Sequence, residues 1–149
     1  LCQLNGGCMG CCGHDFISKK KIKEAIDKNT KQFYSKEIKN KDDFLGFRDR
    51  YDVTNLKDGV CRNLIERNGC FLCPLHPSLH KGKDLRENHC DVNYLCKTAK
   101  EFETWEDQKK EEFLQFIKSK NLDNLTYSMK MDKNILLEEF KSNKSNLEC

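Results

Sequence analysis

The ten cysteines of this 149-residue chain constrain its fold more than any other feature. Nine of them fall into three groups that are separated by long stretches without cysteine. The groups are Cys2, Cys8, Cys11 and Cys12, then Cys61, Cys70 and Cys73, and finally Cys90 and Cys96. Thiols spaced so closely form disulfides in an oxidising compartment and bind metal in a reducing one. We therefore expect the fold to gather sulfur atoms that are distant in the chain.

Apolar residues are scarce for a chain of about the size of one ordinary domain. Charged residues make up 34% of the sequence, whereas hydrophobic residues, cysteine included, make up 37%. A chain that buries little apolar surface has a small margin of stability, which bound metal or cross-links would raise.

The spacing of the cysteines favours metal over disulfides. Cys8/Cys11 and Cys70/Cys73 are Cys-x2-Cys pairs, in which a tight turn lets two sulfur atoms reach one ion. Cys12 directly follows Cys11, and adjacent cysteines do not readily pair with each other. Much of the chain has the pattern of Lys/Glu-rich helix, unlike a small secreted disulfide scaffold. We predict a cytoplasmic protein that binds zinc or iron, the iron as ions or in an iron–sulfur cluster. A secreted, disulfide-stapled binding module is the alternative.

All nine clustered cysteines are predicted metal ligands. They are Cys2, Cys8, Cys11, Cys12, Cys61, Cys70, Cys73, Cys90 and Cys96. Nine thiols exceed the four that one structural zinc needs, so two ions and one polynuclear cluster are both compatible with the sequence. His14, His76 and His89 are candidate additional ligands, with an ordinary surface or hydrogen-bonded imidazole as the alternative for each.

Other catalytic signatures are absent from the sequence or weak. It contains no Gly-rich phosphate loop, no Gly-x-Ser-x-Gly elbow and no Cys-x3-Cys-x2-Cys run. The run from Cys70 to His80 lacks the dozen-residue connection of a C2H2 finger. A nucleophilic pair of Cys73 and His76 is disfavoured, because neighbouring thiols would compete as ligands or oxidise. The sequence therefore assigns no reaction, and a role as an accessory or modification factor stays open.

Charge and hydropathy narrow the range of partners. The net charge is +3, from 27 basic and 24 acidic residues, which is not the one-sided basic character of a nucleic-acid-binding domain. No apolar stretch approaches the roughly 20 residues needed to cross a bilayer, and no signal peptide is visible. The expected partner is a metal ion. A protein partner is compatible with the sequence, whereas nucleic acid and membrane are disfavoured.

Hydrophobic periodicity predicts a mostly α-helical, metal-stapled small domain with one β-hairpin. Ser18 is expected to cap a first helix that weakens at Asn29-Thr30, where a second would begin. A strand over Val60–Ile65 would turn at Asn68-Gly69 and return over Cys70–Leu72. This hairpin would make Cys61 and Cys73 neighbours.

Two helices are predicted in the last third of the chain, over 97–120 and 132–141, followed by a frayed tail from Ser142. Cys149, in that tail, is predicted to be uninvolved in metal binding. The predicted domain organisation is a cysteine-cluster metal-binding domain over 1–96. A helical extension over 97–149 would pack on it.

The order and spacing of the cysteine segments carry a resemblance to a known family. The segments are Cys8-Met9-Gly10-Cys11-Cys12, then Asp58-Gly59-Val60-Cys61 with Leu64, then Cys70-Phe71-Leu72-Cys73 with Pro77, and finally Cys90 and Cys96. Over residues 1 to about 96 they resemble the YkgJ-type cysteine-cluster proteins. The resemblance implies a zinc- or iron-chelating domain and no particular reaction. The chain departs from the family pattern at Cys2, which five residues separate from Cys8, and at His76 and Cys90.

Overall fold

A computed structural model describes residues 1–13, 16, 18–52, 56 and 59–145, without the side chains of 144 and 145. These residues form six α-helices and one two-stranded antiparallel sheet, which confirms the predicted mostly helical fold with a small hairpin. The elements are α1 (Lys19–Ser35), α2 (Lys41–Arg48), β1 (Ile65–Arg67), β2 (Cys70–Leu72), α3 (Lys97–Thr104), α4 (Asp107–Ser119), α5 (Asn124–Asp132) and α6 (Ile135–Ser145). Among the described helices, none is long and apolar enough to cross a membrane.

The chain divides into two compact units. The terminal unit combines Leu1–Cys11 with Leu95–Cys149, and the middle unit is Cys12–Tyr94. The first eleven residues thus belong with the C-terminal helices. The domain boundary predicted at residue 96 stays a prediction.

Helix α1 organises the middle unit. Ser18 caps it by accepting a hydrogen bond from the Lys21 amide at 3.3 Å, as predicted. Its buried face includes Ile22, Ala25 and Ile26, which the sequence pattern had placed together.

The predicted break at Asn29-Thr30 is wrong, because α1 continues through both residues to Ser35. Asn29 is buried, and its side-chain amide donates to the carbonyl oxygens of Cys61 and Leu64, each at 3.1 Å. The Thr30 hydroxyl donates to the carbonyl of Ile26 at 2.7 Å. These polar side chains resemble a helix boundary in the sequence, but they are hydrogen-bonded within the helix and to the segment that precedes β1.

The predicted hairpin is confirmed, but its first strand is shorter than predicted. Asn68 and Gly69 both have positive φ, 52° and 76°, as a two-residue type I′ turn requires. Residues Ile65 and Leu72 face each other across the ladder. The strand predicted from Val60 begins only at Ile65, because the chain turns first: the Leu64 amide donates to the Cys61 carbonyl at 3.1 Å.

A small aromatic core joins the helices of the middle unit to the hairpin. Phe33, Phe47 and Ile65 are buried together. The rings of Phe33 and Phe47 meet edge to face with their centroids 5.0 Å apart. This favourable aromatic geometry places α2 against α1 and β1.

The long helix predicted over 97–120 is wrong in one respect, since it is two helices. Trp105 and Glu106 have extended ψ values of 152° and 160°, which separate α3 from α4. The bend lets the Trp105 ring pack on Phe113 and Phe140, with centroids 5.3 Å and 5.7 Å apart. Burial of the indole against two rings therefore overrides the helical propensity of the sequence.

Helix α5 was not predicted, whereas the predicted last helix exists as α6. Asp123 caps α5 by accepting a hydrogen bond from the Thr126 amide at 2.8 Å. The predicted fraying from Ser142 is wrong as far as 145, because α6 extends to Ser145. The rest of that predicted tail, including Cys149, lies outside the described residues.

Gly13 offers a test of the close packing next to Cys12. It pairs with Val60 in an isolated β-bridge, and a Cβ at Gly13 would clash with the carbonyl oxygen of Gly59 and lie 2.6 Å from the Phe16 ring. Because the carbonyl belongs to the backbone, we expect Gly13→Ala to lower the free energy of unfolding by about 3 kcal/mol, the upper part of the range for overpacking. Urea denaturation measures the change.

Gly46→Ala is the matched control. Gly46 lies inside α2, and a Cβ there meets nothing within 4 Å. The substitution should raise stability by roughly 0.5–1 kcal/mol, because alanine loses less entropy than glycine on entering a helix. Equal effects of the two substitutions would contradict the packing described at Gly13.

Candidate metal centre

Four cysteines among the described residues lie in the terminal unit: Cys2, Cys8, Cys11 and Cys96. Burial, together with negative charge on any of the other three, raises the pKa of the Cys8 thiol to about 12. Burial also raises the pKa of Cys2, as do Cys11 and Cys96. The four thiols are therefore close enough for their charges to interact.

Backbone amides donate hydrogen bonds to two of these sulfur atoms. The amide of Gly10 donates to Cys8 Sγ at 3.3 Å, two residues further along the same turn. The amide of Ala99 donates to Cys96 Sγ at 3.4 Å, where Cys96 caps the start of α3. Donors aimed at sulfur stabilise the thiolate, which is the form that binds metal.

Helix α5 holds the N-terminal cysteine loop in place. The buried amide of Met9 donates to Ser128 Oγ at 3.0 Å, and Ser128 in turn donates to the Asn124 carbonyl at 2.7 Å. The Tyr127 hydroxyl donates to the Leu1 carbonyl at 2.9 Å. Sequence reasoning missed these supporting residues because it missed α5. The one available signal was Asp123, an N-cap residue type that stands three residues before Thr126.

Replacing Ser128 should loosen this loop. Ser128→Ala leaves the Met9 amide buried without its acceptor, and we expect the free energy of unfolding to fall by about 1–3 kcal/mol. Thermal unfolding followed by circular dichroism measures the loss. Ser119→Ala is the control, because the Ser119 hydroxyl is exposed and bonds only the carbonyl of Phe116 in its own helix. Equal losses in the two variants would contradict the tethering role of Ser128.

Five further cysteines lie in the middle unit: Cys12, Cys61, Cys70, Cys73 and Cys90. The amide of Cys61 donates to the Cys12 carbonyl at 2.7 Å, which joins the start of the unit to the segment before β1. Burial, together with negative charge on Cys61 or Cys90, raises the pKa of the Cys73 thiol to about 12. The predicted proximity of Cys61 and Cys73 is thus confirmed at the level of interacting charges.

The sulfur of Cys73 also receives favourable contacts. The amide of Leu75 donates to it, again two residues further along the chain, as Gly10 does for Cys8. The guanidinium of Arg86 lowers the pKa of Cys73 and interacts with a charged Cys90 as well. Arg86 pairs with Asp84 at 2.6 Å and holds the pKa of that carboxyl down to about 2, so the arginine is fixed beside the thiols.

Arg50 places a second positive charge in this unit. Its guanidinium stacks on the Phe47 ring at 3.7 Å and donates to Asn63 Oδ1 at 2.7 Å and to the Arg62 carbonyl. Burial lowers its pKa to about 10, while negative charge on Cys61 favours the charged form. In the described part of the chain its hydrogen bonds end on neutral acceptors. Sequence reasoning did not single out Arg50, because nothing local distinguishes it from a surface arginine.

The predicted histidine ligands have different surroundings. His76 is exposed, and its Nδ1 accepts a hydrogen bond from the Ser78 amide at 3.2 Å. The His89 side chain is only 9% exposed, and its Nε2 lies 2.8 Å from the side-chain amide of Asn63. Its Nδ1 lies 3.8 Å from Asp49 Oδ1 and makes no hydrogen bond within the described part of the chain. His14 lies outside the described residues, so all three ligand assignments stay predictions.

Cys70 lies in β2 and is not among the thiols that act on Cys73. It is exposed at the start of β2, opposite Arg67, and the thiols that act on Cys73 are Cys61 and Cys90. The predicted Cys70/Cys73 pair spans three residues in an extended segment, and such residues point to opposite faces. The spacing alone could not reveal this, because Cys-x2-Cys suits one ion only when the intervening residues turn.

The thiols of the described residues do not form a ready-made coordination shell for a metal ion. In residues 1–13, 16, 18–52, 56 and 59–145, no three or more histidine, cysteine or acidic side chains are already arranged to hold a metal ion. The nine cysteines of these ranges carry no disulfide. Soft thiolates with amide donors fit zinc or an iron–sulfur cluster, which would have to draw the sulfur atoms inward.

No protein-family model matches the chain, and no curated protein or solved structure shows significant similarity to it. The resemblance to the YkgJ-type cysteine-cluster family therefore stays a prediction.

Proposed function

We propose that this is a cytoplasmic metal-binding protein whose cysteine clusters hold zinc or iron, the iron as ions or in an iron–sulfur cluster. One observation carries the proposal: within each unit, cysteines from separate parts of the chain lie close enough for their charges to interact. In the middle unit, residues as far apart as Cys61 and Cys90 act on the buried Cys73 thiol. Ionised thiols repel one another, and a bound cation is the usual reason for a protein to collect them.

The contacts around the sulfur atoms support the same proposal. Amide donors from Gly10, Leu75 and Ala99 reach three different thiols, and such hydrogen bonds orient metal-binding sulfur and tune its charge. When bound, the metal would supply a cross-link between chain segments. The described residues supply the binding, the orientation of the ligands and part of the charge compensation.

A fully thiolate-bound ion has no open coordination position, so its role is structural. The function of the protein would then be to present a surface to a protein partner, as an accessory or modification factor. The described residues contain no arrangement that assigns a reaction. The resemblance to the YkgJ-type family supports the chelating role and leaves the reaction equally open.

Metal and thiol analysis of gently purified protein tests the proposal. Anaerobic purification followed by elemental analysis should give stoichiometric zinc without colour, or iron with sulfide and a brown absorbance. Thiol titration of the denatured protein, with and without reductant, should find free thiols in both samples. Five disulfides without metal would overturn the proposal and favour the secreted, disulfide-stapled binding module.

A further inference from the structure

We propose that an open groove in the terminal unit binds small molecules that carry a phosphate group. The groove lies where α4 and α5 end and α6 begins, and its volume is about 580 Å³. Small-molecule sites in proteins have volumes of about 300–1,000 Å³. None of the described cysteines lines the groove, so this proposal goes beyond metal binding and does not depend on it.

Three lysines converge on the groove because helix ends meet there. Lys120 directly follows α4, Lys130 is in the last turn of α5, and Lys133 directly follows α5. Asn134 adopts a left-handed conformation with a φ of 57°, and α6 starts at the next residue. The ends of α4 and α5 therefore place three ammonium groups beside the first turns of α6.

Two of these lysines already hold one oxyanion, the carboxylate of Glu139 in α6. Lys120 Nζ lies 2.8 Å from Glu139 Oε2, and Lys130 Nζ lies 3.0 Å from Glu139 Oε1. All three side chains stay about one-third exposed. An ammonium group has three N–H donors, of which Glu139 occupies only part on each lysine. Both lysines can therefore donate to a second oxyanion at the mouth of the groove.

Positive charge exceeds negative charge along the lining. Lys133 is exposed and makes no ion pair with any residue that the structure describes. The second carboxylate of the lining, Glu138, pairs at 3.2 Å with Lys97, which lies outside the groove. The three ammonium groups thus face Glu139 as their main counter-ion. A phosphate monoester carries a charge of about −1.5 to −2 and three strong acceptor oxygens, which match this excess.

Ile135 adds an apolar contact next to the charges. It lines the groove, and its side chain is 37% exposed, although Leu136 and Leu137 beside it are fully buried. Residues four apart share one face of a helix, so Ile135 and Glu139 lie side by side. An exposed isoleucine beside a cluster of ammonium groups fits a ligand that has a compact apolar group next to its phosphate.

Phenyl phosphate combines both features and is the probe for the first experiment. It is titrated into the isotope-labelled full chain, and binding is followed by NMR. Saturable shifts should appear at the amides around Lys120 and from Lys133 to Glu139, and added salt should weaken binding because it screens exposed charges. Inorganic phosphate should bind more weakly, since it lacks the apolar group. Benzoate, with one charge, should bind more weakly than phenyl phosphate.

Two substitutions and a matched control assign the binding to the groove. Lys133→Gln should weaken phenyl phosphate by about three- to fivefold, as expected for the loss of an exposed ion pair. Lys83→Gln removes the same charge from an exposed site in the middle unit and should leave the affinity unchanged. Ile135→Ala should weaken phenyl phosphate but not inorganic phosphate. This difference would not arise if the substitution merely disturbed the fold.

Three outcomes would overturn the proposal. The first is the absence of saturable shifts at the groove in the unsubstituted protein. The second is an equal affinity of Lys133→Gln and Lys83→Gln for phenyl phosphate, which would show that only the overall charge matters. The third is binding of benzoate as tight as that of phenyl phosphate, which would show a site for carboxylates rather than for phosphates. None of these outcomes bears on whether the cysteines bind metal.

Discussion

Stripping the proposed metal should abolish the cooperative thermal transition of this protein. Structural zinc contributes about 10–16 kcal/mol of apparent binding free energy in small zinc-dependent peptides. The whole stability of a typical domain is about 5–15 kcal/mol. Because binding and folding are coupled when the ligands come from distant segments, loss of the metal removes most or all of the stability.

Circular dichroism melting curves with and without a strong chelator measure the effect. Control samples receive the same chelator after it has been saturated with zinc, so that it can no longer remove metal from the protein. Reductant is present throughout, so that stripped thiols do not oxidise. Restoring the metal should restore the transition, whereas an unchanged melting curve after complete removal would leave the metal without a structural role.

Phe113→Ala should give the largest loss among substitutions away from the cysteines. Phe113 is fully buried in α4, and its ring lies 5.0–6.2 Å, between centroids, from those of Phe102, Trp105, Phe116 and Phe140. Truncation opens a cavity at the centre of the terminal unit, and we expect a cost of about 3–5 kcal/mol. Urea denaturation of the metal-loaded protein measures it.

Leu79→Ala is the control for this truncation. The Leu79 side chain is 47% exposed, and its replacement should change stability by no more than about 0.5 kcal/mol. A cost below about 1.5 kcal/mol for Phe113→Ala would place the packing centre of this unit elsewhere. Metal content should stay unchanged in Leu79→Ala, which separates core packing from metal binding.

Short-range signals in the sequence predicted much of the local structure. Ser18 before an apolar stripe identified the start of α1, and Asn68-Gly69 identified the hairpin turn. Both features depend on a few neighbouring residues and on backbone sterics, which sequence alone contains. The errors at Asn29-Thr30 and Trp105 have the opposite cause. At each position a distant partner, the loop before β1 or the rings of Phe113 and Phe140, outweighs the local preference.

For the candidate site, too, some features were predictable from the sequence and others depend on long-range contacts. The predicted hairpin indicated the approach of Cys61 to Cys73, whereas the soft-metal chemistry inferred from the clustered cysteines stays a prediction. The sequence could not tell which thiols belong together, because Cys96 joins Cys8 and Cys90 joins Cys73 only through folding. It also gave no sign that Ser128 would support Met9, since 119 residues separate them.

By itself the sequence determined the chemistry: many soft sulfur donors, few apolar side chains and a helical pattern interrupted by one tight turn. The tertiary structure alone decided which distant thiols interact: Cys2, Cys11 and Cys96 with Cys8, and Cys61 and Cys90 with Cys73. The physical reason is that the character of a ligand is a property of its own atoms. The set to which it belongs depends on long-range contacts that form only when helices and hairpin pack.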